Sequence, residues 1–111
     1  MLSFQRLDVY QRATEFLALA TEIVEGMPRG HAGCADQLIR SAESVIRNIA
    51  EGSGRWGKAD SAKHYKISRG EAMECAASLD VLKIRKLVAQ RQYEDGIKLL
   101  ERVVEMLTKM V

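Results

Sequence analysis

Two histidines, two cysteines and scattered carboxylates are the side chains of this sequence best suited to catalysis or metal binding. His31 stands in a glycine-rich turn and His64 comes early in a long helical pattern. Asp60 and His64, at a spacing of four, share one face of a helix, and Glu71 follows about two turns later, so a metal site can be drawn through them. Ordinary pairing on a helix surface explains the same three residues, and the expectation is no metal. Neither histidine has an evident catalytic partner, so no catalytic residue is assigned, and neither an enzymatic activity nor a cofactor is expected. Cys34 and Cys75 lack the spacing of a zinc site or a redox motif; they read as buried free thiols, suited to a reducing cytoplasm.

The run Glu51-Gly52-Ser53-Gly54-Arg55-Trp56-Gly57-Lys58 is glycine-rich, but it lacks the spacing of a phosphate-binding loop and follows a helix, not a strand. It reads first as a flexible connector. Arg55 and Lys58, joined by Lys63, Lys66 and Arg69 against the single acid Asp60, make the densest basic stretch in the chain. Arg55, Lys58, Lys63 and Lys66 are therefore the candidate contacts to the phosphates of RNA or DNA. Trp56, the only tryptophan, is expected to pack against a neighbouring helix; stacking on an unpaired base beside those cations is the sharper alternative. A second basic group, Lys83, Arg85, Lys86 and Arg91, suits a helix end, where cations offset the partial negative charge of the terminal carbonyls. The net charge of +2 neither demands nor excludes a polyanionic partner.

Helices must position these residues. A chain of 111 residues with 47% apolar, 5% aromatic and one proline fits a single helix-rich domain, 1–111. Val9, Tyr10, Ala13, Phe16, Leu17, Ala20, Ile23, Val24 and Met27 form a helical stripe that predicts helix one from Phe4 to Glu25, closed by Gly26, Pro28, Gly30 and Gly33. Helix two is expected from Ala32 to Glu51, with Leu38, Ile39, Ala42, Val45, Ile46, Ile49 and Ala50 on one arc and Gln37, Arg40, Ser41, Ser44, Asn48, Glu51 and Arg55 opposite. The short side chains on that polar arc suit close packing on another helix or subunit. Helix three is expected from Asp60 to Val88, with Asp60 or Ser61 as its N-cap. Tyr65, Ser68, Ala72, Cys75, Ala76, Leu79 and Leu82 line one of its faces, and Ala62, Gly70, Met73, Ala77, Val81 and Ile84 another. A bundle of this size needs only one such face, so the second predicts homo-oligomerisation. Gly70 costs about 1 kcal/mol relative to alanine in a helix, which close helix approach usually offsets. Helix four, Gln92 to Met110, follows a short connection and closes an antiparallel up-and-down four-helix bundle, an all-α fold. The sequence shows neither a signal peptide nor a membrane-spanning stretch, and the expectation is a cytoplasmic protein with no membrane partner.

The run Gln37-Leu38-Ile39-Arg40-Ser41-Ala42, with Ser44-Val45, Asn48-Ile49-Ala50-Glu51-Gly52 and Gly54-Arg55, resembles the four-helix bundle proteins encoded in intervening sequences of bacterial large-subunit (23S) ribosomal RNA genes. Phe4, Leu7, Val9-Tyr10-Gln11, Ala13, the Met27-Pro28 turn, and Ile67-Ser68-Arg69-Gly70 with Glu74 extend the resemblance over nearly the whole chain. Glu71 and Cys75 depart from the serine and leucine usual in that family. The resemblance implies a homopentameric ring with no assigned enzymatic activity, and it draws attention to Arg40, Ser44, Asn48 and Glu51 as a structural or interface polar face. A similar fold is used by the accessory variability determinant of diversity-generating retroelements, a pentamer that binds a reverse transcriptase and nucleic acid; this is an analogy of fold. The expected role is a non-enzymatic homo-oligomeric scaffold for RNA, DNA or a nucleic-acid-processing protein, with a protein-interaction adaptor as the alternative.

Overall fold

A 3-10 turn, Ser3–Arg6, leads into four α-helices: α1 Asp8–Glu25, α2 Ala32–Ser53, α3 Lys58–Ile84 and α4 Gln90–Met110. The computed structural model describes residues 1–111 throughout. Side-chain bonds between the helices fix their directions. Ser68 Oγ donates to Val45 O (2.8 Å), while Arg85 reaches back to Cys34, so α2 and α3 are antiparallel. Tyr93 meets Asp80 and Arg69 meets Thr108, which sets α4 antiparallel to α3. Gln92 with Glu22, and Arg102 with Asp8, do the same for α4 and α1. Each helix lies against two neighbours, and the diagonal pairs α1–α3 and α2–α4 make no close backbone approach. The result is an all-α bundle of 44 × 25 × 22 Å.

One stripe of each helix faces inward, at the three-and-four spacing of a helical face. Val9, Ala13, Phe16, Ala20 and Ile23 of α1 meet Leu38, Ala42, Val45 and Ile49 of α2. Ala72, Cys75, Leu79 and Leu82 of α3 and Leu100, Val103 and Leu107 of α4 complete a continuous core. Two glycines let helices approach more closely than a side chain would permit: a Cβ on Gly52 would stand 2.6 Å from Tyr65 Cε1, and one on Gly96 would stand 2.8 Å from Leu79 Cδ1.

The helix ends differ from the sequence expectations in ways the backbone explains. Helix one does not run unbroken from Phe4, because Leu7 is extended (φ −65°, ψ 135°) and separates the 3-10 turn from α1. Leu2 N–H donates to Gln5 Oε1 (2.8 Å), and Phe4 turns back edge-on to Tyr10 at 5.0 Å between ring centroids. α2 continues to Ser53, and α4 begins at Gln90. α3 starts at Lys58 with Gly57 as its N-cap, so neither Asp60 nor Ser61 caps it; Asp60 sits in the first turn, where a carboxylate favours the exposed amides. Its other end falls at Ile84 instead of Val88. Lys86 adopts a left-handed φ of 61°, and Leu87 N–H closes the turn on Leu82 O at 2.8 Å.

Candidate interaction faces of helices two and three

The polar side of α2 runs along its junction with α3. Gln37 Nε2 lies 3.5 Å from Ser41 Oγ, and Asn48 Nδ2 donates to Ser44 O (2.9 Å) and Ser44 Oγ (3.2 Å). Asn48 Oδ1 in turn lies 3.4 Å from His64 Nδ1. His64 is thus engaged across the helix junction, and Asp60, His64 and Glu71 form no cluster able to hold a metal ion. Arg55 lies 3.4 Å from Glu51 and 3.8 Å from Asp60, which links the end of α2 to the first turn of α3. Arg40 is exposed and forms no ion pair.

Near the other end of this junction a groove of about 350 Å³ opens between Gly33, Cys34 and Gln37 of α2 and Glu74, Ala77 and Val81 of α3. Arg85 Nη1 approaches Cys34 Sγ at 2.9 Å, and this thiol is half-buried. Cys75 is fully buried; burial first, then the charges of Glu71 and Glu74, pushes its thiol up to about 12, which leaves it protonated and unreactive at neutral pH. The Glu74 carboxyl is raised above its ordinary range mainly by its hydrogen bond with Glu71 and also by the charge of that carboxylate.

The outward side of α3 divides along its length. Lys58, Lys63 and Lys66 lie within about 140° of arc at 3.6 residues per turn. All three are exposed and none forms an ion pair. Arg69 turns away, its Nε donating to Thr108 Oγ1 at 2.8 Å. Further along the same side stand Gly70, Met73, Ala77, Val81 and Ile84, all exposed, with Ile84 at 79%. No atom outside the local backbone lies within 4 Å of a Cβ built on Gly70, so within the subunit nothing packs against it.

The profile of the 23S rRNA-intervening sequence proteins matches residues 5–109, which takes in all four helices and both faces just described. The chain belongs to this family. A crystal structure of a protein of unknown function from the S23 ribosomal protein family of Bacteroides thetaiotaomicron superposes with a TM-score of 0.84. The two share 21% sequence identity, and the match covers 92% of this chain and 96% of that one, a likeness of fold. No curated protein matches the sequence.

In this member of the 23S rRNA-intervening sequence family, Trp56 corrects the expectation that it packs on a helix: the indole is fully exposed. Leaving it in water forgoes on the order of 4 kcal/mol of burial. The connector that carries it is short and held at both ends. Arg55 N–H bonds to Gly52 O at 3.3 Å, Ser61 N–H to Gly57 O at 3.0 Å, and the Arg55 side chain to the two carboxylates. The Arg85–Cys34 contact and the fit of Tyr65 over Gly52 depend on the register between helices and so were not legible in the sequence, whereas Glu71 and Glu74 stand three residues apart on α3, a spacing the sequence does carry. No helix is long and apolar enough to cross a membrane.

Proposed function

We propose that the chain is the subunit of a non-enzymatic homo-oligomeric scaffold, a pentameric ring as the family resemblance implies, that binds RNA or DNA through basic surface repeated around the assembly. The bare outward side of α3 supports this reading. Its Gly70–Ile84 half presents small and apolar side chains suited to a second copy of the chain, and its Lys58–Lys66 half presents cations without carboxylate partners. Repetition matters because a monomer of charge +2 has a weak field, whereas several copies of one basic patch act together on a single polyanion. Lys58, Lys63 and Lys66 are assigned as phosphate contacts; Arg55, shared with Glu51 and Asp60, joins them at the edge and holds the connector. Arg40, Ser44, Asn48 and Glu51 are assigned to the polar interface of α2, either within the subunit or toward a neighbour.

Replacing Arg55, Lys58, Lys63 and Lys66 with glutamine is expected to abolish oligonucleotide binding and flatten its dependence on salt, with assembly retained. Unchanged binding would remove the phosphate assignment. The groove between Cys34, Gln37, Glu74 and Val81 favours a second reading, an adaptor that receives a protein partner there. Under that reading a co-purifying partner survives nuclease treatment.

A further inference from the structure

We propose that Trp56 makes this surface a reader of unpaired nucleic acid strands, its exposed indole stacking on a base while Lys58, Lys63 and Lys66 hold the flanking phosphates; this inference rests on the basic-surface reading above. Trp56 is fully exposed and sits between Arg55 and Lys58, away from the apolar patch. The apolar half of α3 begins at Gly70, about 18 Å along the helix from Lys58 at 1.5 Å per residue. A second subunit seated on that half therefore has no need of the indole.

The surroundings of Trp56 suit a base better than a protein side chain. Cations flank it, and the caps at Gly54 and Gly57 fix the backbone on either side. Lys58 and Lys66 are separated by about 12 Å along α3. A strand can thus run along the lysines with one base turned onto the indole. In a duplex the base faces are already stacked on one another and are closed to the indole, so the same cations would bind duplex without its help. Either RNA or DNA offers the required chemistry of phosphates plus free base faces.

Trp56 is the only tryptophan, so its emission reports this contact alone. The assembled protein is titrated with labelled oligouridylate, oligothymidylate and a blunt DNA duplex, with anisotropy reporting binding and indole emission reporting stacking. Both single strands are expected to quench the indole and the duplex to leave it unchanged; stronger quenching by oligouridylate would assign the strand as RNA. Trp56→Ala should weaken single-strand binding roughly five- to a hundred-fold and spare duplex binding, and Trp56→Phe should restore much of the loss. Equal binding of single strands and duplex, unaffected by Trp56→Ala but lost in the Lys58, Lys63 and Lys66 variant, would overturn the stacking proposal and leave the basic surface standing. Binding of neither form would remove both. A blue-shifted emission without nucleic acid, reversed on dissociation into monomers, would place the indole in a subunit interface and overturn the proposal as well.

Discussion

Lys86 shows how one residue sets the end of a helix. Its φ of 61° is a conformation in which a β-carbon is crowded by the backbone, and it is held by the closure of Leu87 on Leu82. Lys86→Gly should therefore raise stability by about 1 kcal/mol in a denaturant titration, provided the turn itself is retained. Gly52 carries the opposite constraint. Gly52→Ala would drive a methyl group into the Tyr65 ring and disturb the 3.2 Å Ser53–Tyr65 hydrogen bond, at an expected cost of about 1–3 kcal/mol. At Glu74 the effect depends on pH. Its folded-state value lies above the ordinary 4.5, so over that window the folded chain binds more protons than the unfolded one, and the contribution of this group to stability falls as pH rises. Glu74→Gln should remove that fall: the variant melts higher than the natural protein at pH 7, and the gap closes below the usual carboxylate range. A constant gap at all pH values would show that neither the hydrogen bond between Glu74 and Glu71 nor their repulsion is its cause.

At the scale of elements, α3 has one face in the core and one in solvent, and Gly70 gives a way to tell what the outer face does. In an isolated subunit Gly70→Ala meets open space, so helix propensity alone predicts a gain of about 1 kcal/mol. If a neighbouring subunit packs closely on this face, the same methyl group weakens assembly. Thermal melting of the dilute monomer and the mass of the assembly should then move in opposite directions. The four helices and their inward stripes were legible in the sequence because the spacing of Val9 to Ile23, or of Leu38 to Ile49, records a helical face directly. The ends were less legible. Leu7 and Lys86 depart from helical geometry without the glycine or proline that usually marks such a point, and Gly57 takes the capping position that Asp60 or Ser61 promised. Of the candidate face, the run of cations was visible in sequence, but the pairing of Arg55 with Glu51 and Asp60 and the exposure of Trp56 depend on how a short connector turns between two helices.

At the scale of the whole molecule, the core accounts for the subunit but not for the exposed Met73, Val81 and Ile84, nor for an unpaired basic patch on the same side of α3. An assembly that covers the first group and repeats the second gives both a role. Val81→Glu, on the outward face and 46% exposed, should leave the helical content and the subunit fold intact while it breaks the assembly, because Val81 is not one of the buried core residues. The most direct test of the account is light scattering coupled to size-exclusion chromatography, with absorbance followed at protein and nucleic-acid wavelengths. A particle of pentameric mass that carries nucleic acid, releases it in high salt and falls to monomers with Val81→Glu is the predicted result; a natural protein that elutes as a monomer free of nucleic acid would contradict it.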